Sequence, residues 1–166
     1  MATKKYTHET LYKDIEALDK VTHPFSIVAI KDTYHPYPNQ FLLYRDHKWN
    51  CNFFLNYRTQ PTEEQNISFI KTKLSQELHL PIANISLHKV GQVLQEKYAV
   101  KENRQKVYDH AYYEAKLTAF PEELQHHSFV IDGKEFVWMT LDEMKNDKEI
   151  QEKNLDVVNQ VSNLIP

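Results

Sequence analysis

The chain has 166 residues, a formal charge of −3 with its nine histidines neutral, and 41% apolar residues; it describes one domain able to bury a full core. That charge argues against broad binding to nucleic acid or to anionic membranes, while leaving room for a local basic patch. Two glycines, Gly91 and Gly133, and one cysteine, Cys51, exclude a three-glycine dinucleotide fingerprint, a glycine-rich phosphate loop, an internal disulfide and a cysteine zinc cluster.

Residues Thr7 to Lys20 space Leu11, Ile15 and Leu18 for one face of an amphipathic helix. They lack the apolar core of a signal peptide, and no stretch approaches the length of a bilayer span, so a cytoplasmic setting is the expectation. The short β-branched run from Pro24 to Ile30 reads as a buried strand. Pro36 and Pro38 make the segment from Asp32 to Asn39 a loop. A second strand spans Gln40 to Arg45, and a third lies between His47 and Tyr57. Thr62, with Gln65 three residues on, is a capping-box pattern that opens a helix. The helix buries Ile67, Ile70, Leu74 and Leu78, and His79-Leu80-Pro81 ends it.

Strands resume around Ile85 to Leu94, with Gly91 as a bend, and again from Lys106 to Phe120. Asp132-Gly133 marks a hairpin turn between Phe129 and Trp138, because tight turns need residues that accept positive φ. Thr140 and Glu143 form a second capping box at the head of a short helix. A final helix from Lys148 to Leu164 has Leu155, Val158, Val161 and Ile165 on one side. The order gives a single α+β domain over 1–166, with 1–22 as an N-terminal helical extension and 146–166 as a C-terminal helix.

Three passages carry a family resemblance. Phe41-Leu-Leu-Tyr-Arg45 followed by Trp49, the helix from Thr62 to Leu80, and Phe136-Val-Trp-Met-Thr-Leu-Asp-Glu-Met144 resemble the Nudix superfamily across most of 25–145. The resemblance implies an α/β/α sandwich: a mixed β-sheet, a central signature helix and C-terminal helices. It also implies hydrolysis of a nucleoside diphosphate linked to another group, with Mg²⁺ or Mn²⁺ as cofactor in an active member.

The family signature falls on this helix with its early glutamate at Glu64 and its closing aliphatic residue at Leu80. Its arginine position holds Thr72, its first metal-binding glutamate Lys73, and its glutamate pair Gln76 and Glu77. The closing glycine position holds His79, and the opening one Arg58, or Phe54 if the loop carries an insertion. Both signature glycines and two of the three chief carboxylates are therefore replaced. Magnesium takes carboxylate and phosphate oxygens in a tight octahedron. A lysine about 4 Å from that ion would cost several kcal/mol at low local dielectric. Lys73, one helical turn from Glu77, would repel the ion, pair with Glu77, or hold a phosphate itself.

The candidate residues follow. Glu77 and Glu64 are residual catalytic and metal carboxylates, or a solvated helix face with a Lys73–Glu77 pair. Lys73, Arg58, Tyr57, Trp49 and Arg45 are candidate ligand-binding residues; Trp49, Tyr57 and Arg58 would give a stacking and phosphate-holding rim, or else ordinary packing at a strand end. His110 and Glu114 share a strand face as a conceivable dyad or a structural contact, and Cys51, His126 and His127 read as packing or surface residues. The leading expectation is a Nudix-fold protein with a degenerate motif that binds a nucleotide-like or phosphorylated ligand, or a protein partner, with metal-dependent hydrolysis weak or lost. An active pyrophosphohydrolase using Glu64, Glu77 and Glu114 is the second expectation, and a protein-interaction module with a closed pocket the third. A homodimer is compatible with each.

Overall fold

The computed structural model describes residues 21–99 and 104–165, so the expected helix over Thr7 to Lys20 lies outside the described residues. Seven strands form one sheet: β1 (Val21–Ile30), β2 (Gln40–Asp46), β3 (Cys51–Arg58), β4 (Ile85–Ala99), β5 (Arg104–Leu117), β6 (Ser128–Ile131) and β7 (Lys134–Thr140). Their order across the sheet is β4-β5-β1-β3-β2-β7-β6. β1 runs parallel to β5, with Phe25 opposite His110, and every other pairing is antiparallel. The sheet is thus mixed, and β1 lies in its interior between β5 and β3. Since the strand begins at Val21, Val21 and Thr22 belong to it and not to an extension.

Successive strand residues face opposite sides, and both sides of β1 are covered. Val28 and Ile30 pack on one side with Ile70, Leu74 and Leu78 of helix α1 (Glu63–Leu78). Ile27 and Ala29 pack on the other with Met144, Ile150, Val157, Val158 and Val161. Those residues come from three short helices, α2 (Leu141–Lys145), α3 (Lys148–Lys153) and α4 (Leu155–Leu164). Double coverage explains why β1 reads as a continuous apolar run without alternation. The architecture is an α/β/α sandwich.

Local chemistry sets the element ends. Thr62 Oγ1 accepts the Gln65 N–H at 3.1 Å at the head of α1. At its foot His79 takes the left-handed conformation, φ 55° and ψ 49°, and its N–H reaches the Ser75 carbonyl. Glycine is the usual occupant of that position, and the histidine accepts the strain there. Thr140 and Glu143 complete both bonds of their capping box, at 2.8 and 3.1 Å. Asp132 (φ 51°) and Gly133 (φ 80°) make the β6–β7 turn with positive φ at both central residues, as a type I′ hairpin requires.

Two expectations change. The final helix is two helices, because Asn154 leaves helical geometry at φ −146° and ψ 14°; asparagine competes poorly inside helices, since its amide bonds backbone in other conformations. The break turns Val157 into the core while Leu155 stays half-buried. Gly91 is no simple bend either. It follows a bulge in β4, and a Cβ there would come within 2.9 Å of both Leu164 methyl carbons, so its bare backbone makes room for α4. Among the described residues no helix is long and apolar enough to cross a membrane.

Candidate functional site

Helix α1 carries Phe69, Lys73 and Glu77 at successive four-residue steps, a row along one edge of its buried face. Beside that edge lie Tyr44 of β2, Tyr57 of β3, and Lys134 and Phe136 of β7. Period-two alternation puts Lys134 on the same side of β7 as buried Phe136 and Trp138. The elements converge on Glu77. Tyr57 donates its hydroxyl to Glu77 Oε2 at 2.5 Å, and Lys134 Nζ bonds Oε1. The ammonium also sits 4.4 Å from the Tyr44 ring centroid and 5.8 Å from that of Phe136. Burial, and after it the Glu77 carboxylate, holds the Tyr57 phenol protonated far above its ordinary range. Burial likewise raises Tyr44.

Both Glu77 oxygens are therefore engaged, and Lys134 balances its charge. Lys73 makes no ion pair with Glu77; its Nζ lies 5.5 Å from the Phe69 centroid, and Phe69 meets Tyr57 edge-on at 6.4 Å. The i, i+4 pairing weighed from the sequence is replaced by a partner from the β6–β7 hairpin. Gln76, Glu77, Ile131, Asp132 and Lys134 line a cleft of about 230 Å³ beside this cluster. Asp132 also meets the His79 ring at 2.7 Å. A cleft of this size suits one phosphate group better than a whole nucleotide.

The other candidates are dispersed. Glu64 stands near the opposite end of α1 from Glu77, about 20 Å along the axis and about 140° around it for a regular helix; it lines a shallow depression with Gln60, Pro61, Gln65, Ser68 and Phe69. Glu114 projects to the face of β5 that carries Tyr112, opposite the face of Tyr113 and α1, and meets His88 at 3.4 Å. Glu64, Glu77 and Glu114 therefore cannot converge on one ion. Among the described residues no three His, Cys, Asp or Glu side chains gather as a metal site. His110 lies about 13 Å along β5 from Glu114 and contacts Tyr108 and Tyr112 instead.

Trp49 sits in the β2–β3 turn, 55% exposed, with its carbonyl bonded by Lys153 of α3 at 2.6 Å. β3 then runs about 20 Å before it reaches Tyr57, so the two form no common rim. Arg58 is exposed at the far end of β3, where its carbonyl accepts from the Gln60 amide. Arg45 bonds Asn50 and lines a separate cleft of about 360 Å³ with Asn52, Phe129 and Glu135. Cys51 is buried, and burial pushes its thiol up to about 11. His126 and His127 are exposed.

Three features escaped sequence reasoning. Lys134 is one; parity with Phe136 and Trp138 was the signal that could have found it. The second is Asn66, 1% exposed, whose amide donates to Ser26 Oγ (2.8 Å) and Tyr113 Oη (2.9 Å) and accepts from Gln60 N–H (2.8 Å). Tyr113 in turn donates to the Glu63 carboxylate, and burial pushes its phenol up to about 12. The third is a clamp at the β1–β2 loop. Asp32 accepts from the Tyr34 and His35 amides (2.9 and 3.0 Å), the His35 ring (2.8 Å) and Gln40 (2.6 Å). The other His35 nitrogen faces the Gln125 carbonyl at 2.6 Å.

No protein-family model and no curated protein sequence matches this chain. Solved structures do. A NUDIX-family hydrolase from Clostridium perfringens superposes with a TM-score of 0.53 at 16% identity, covering 87% of this chain and 99% of its own. The C. elegans Ap4A hydrolase gives 0.51 at 11% identity, with 89% and 99% covered. The NUDIX domain of Shewanella oneidensis NrtR, solved with ADP ribose, gives 0.50 at 12% identity, with 89% of each covered. At such identities the likeness is one of architecture, and it agrees with the mixed sheet between helical layers described above: the chain has the Nudix hydrolase fold.

Proposed function

We propose that this Nudix-fold chain binds a nucleotide-like, phosphorylated ligand, and that metal-dependent hydrolysis is weak or lost in it. The observation that carries the proposal is the state of Glu77, whose two oxygens are taken by Tyr57 and Lys134. A divalent cation needs several oxygen ligands at short range. At this cluster it would meet Glu77, engaged by Tyr57 and Lys134, and Asp132, engaged by His79, beside the Lys134 ammonium, with no second carboxylate on the same stretch of α1. The residues present do not fit a resident Mg²⁺ or Mn²⁺. They do suit an anion. Lys73 is the cation left over once Lys134 and Glu77 neutralise each other, and it lies on the apolar face of Phe69, where a phosphate oxygen can reach it. Neighbours in fold named for Ap4A hydrolysis or solved with ADP ribose support a nucleotide as the class of ligand.

The test is thermal unfolding with ADP-ribose, Ap4A and ADP, each with and without Mg²⁺ or Mn²⁺. Ligand at 100 times its Kd stabilises by about 2.7 kcal/mol, a rise expected here without added metal and lost in Lys73→Ala. No melting shift with any nucleotide would overturn the binding reading. Metal-dependent release of a monophosphate, abolished by Glu77→Gln, would overturn the loss of hydrolysis and restore the enzyme.

A further inference from the structure

The clamp at the β1–β2 loop has no part in the α1 cluster, yet it concentrates polar groups at a surface loop to an unusual degree. The Asp32 side chain is fully buried and the His35 ring 17% exposed. Both His35 ring nitrogens are engaged, one by the Asp32 carboxyl and the other by the Gln125 carbonyl, so the ring is fixed at both ends. What this arrangement fixes in place is the ring of Tyr34, 52% exposed.

Tyr34 is held from several directions. Its amide bonds Asp32 at 2.9 Å, and its hydroxyl bonds Gln125 Oε1 at 3.1 Å. The His35 ring meets it edge-on at 4.9 Å, and Phe120 stacks behind it at 5.5 Å with the planes 21° apart. Phe120 stacks in turn on buried Trp138, at 5.6 Å and 25°. Trp138 is itself pinned by a 2.8 Å bond from its indole nitrogen to the Leu124 carbonyl. Three near-parallel rings therefore lead from the core to the surface, and the outermost exposes much of its area to solvent.

We propose that Tyr34 is a stacking platform for the base of a nucleotide, which becomes the fourth member of this series. An exposed aromatic ring normally loses side-chain freedom when a ligand stacks on it; here that cost falls on folding, through the clamp. Stacking on aromatic rings is tolerant of base identity because every base presents a π-face. Glu122 and Glu123, on the same turn as Gln125, are exposed carboxylates. They repel phosphate and can accept hydrogen bonds from exocyclic amino groups, so the base end of a ligand is the end that suits this place. The choice of a nucleotide as ligand rests on the reading under Proposed function; the ring geometry does not.

Isothermal titration with adenosine, ADP and inorganic pyrophosphate separates the two. Tyr34→Ala should weaken adenosine and ADP about tenfold or more, the range of base–aromatic stacking, and leave pyrophosphate unchanged. Tyr34→Phe keeps the ring and should bind ADP within about threefold of the parent, which distinguishes a lost platform from a damaged loop. Lys73→Ala should weaken ADP and pyrophosphate but not adenosine. ADP binding unaltered in Tyr34→Ala overturns the platform while leaving the phosphate site standing. Failure of all three probes to bind the parent protein overturns both. Self-association that is lost in Tyr34→Ala, with no nucleotide bound, would assign the ring to a protein contact and overturn the platform.

Discussion

Replacing Lys134 with methionine removes the charge that balances Glu77 and keeps most of the apolar stem that lies over Tyr44 and Phe136. The lysine side chain is 37% exposed and that of Glu77 22%. The pair therefore falls between solvent-exposed bridges, worth about 0–1 kcal/mol, and buried ones, where losing one partner costs about 3–5 kcal/mol. The contact with Tyr44 at 4.4 Å adds about 0.5–1 kcal/mol. Together these put Lys134→Met at about 1.5–3 kcal/mol of lost stability. Glu77→Gln keeps an acceptor for the Tyr57 hydroxyl and leaves the ammonium closer to solvent, so it should cost less. The double variant leaves neither charge unpaired, and should recover about 1–2 kcal/mol relative to the sum of the singles. Urea unfolding of the four proteins measures this, provided they share one m-value. High salt should reduce the coupling only in part, since the pair is half shielded from solvent. A coupling energy below about 0.3 kcal/mol, within the additivity of independent sites, would show that the two groups are merely adjacent; the case that a lysine occupies this carboxylate would then fail.

Asn66→Ala strips three hydrogen-bond partners at once and leaves the half-buried Gln60 N–H without its acceptor; a loss of about 2–4 kcal/mol in denaturant unfolding is expected, as for a broken buried network. Gly91→Ala puts a methyl 2.9 Å from the end carbons of the half-buried Leu164 side chain, which can turn away, so the change should cost little and should be neutral or stabilising by about 0.4–1 kcal/mol in a Leu164→Ala background, through the unfolded chain; melting temperatures of the four proteins decide. Cys51, with its thiol pushed up to about 11 by burial, should resist iodoacetamide at pH 8 in the native state and react at once in denaturant. The folded state also holds the Cys51 proton more tightly than the unfolded state, so stability should be level below the ordinary thiol value of 9.0 and fall as pH rises from there toward about 11. A Cys51→Ala variant should lack that component of the alkaline loss.

What could be read from the sequence was what local chemistry decides. The Thr62 and Thr140 caps, the Asp132-Gly133 turn and the apolar stripe of α1 each involve residues a few positions apart, and the structure contains them all. The three passages that resembled Nudix proteins likewise anticipated the sandwich. The site was less accessible, because its partners are distant in the chain. Lys134 reaches Glu77 only once the β6–β7 hairpin has folded back against α1. Asn66, polar and set beside Ile67, looks like a solvent residue in any helical projection; its burial depends on Ser26 from β1 and Tyr113 from β5. The grouping of Trp49 with Tyr57 and Arg58 rested on closeness in sequence, and an extended strand turns closeness in sequence into separation in space.

Interior strand β1 is the first of the described strands, and this orders how the domain can be assembled. β1 gains its antiparallel partner β3 after a few dozen residues, but its parallel partner β5 is made much later, with Val28 opposite Tyr113. Until β5 arrives, one long edge of β1 stays open, carrying the apolar run from Ile27 to Ile30. Contacts so far apart in sequence slow folding, and an unpaired apolar edge invites association with other chains. A fragment ending before Arg104 would keep α1 and the β1–β2 loop but lose Lys134, the partner of Glu77, and should aggregate rather than fold. Synthesis of this protein therefore carries an apolar interior strand, exposed on one side, from early in the chain until β5 has been made.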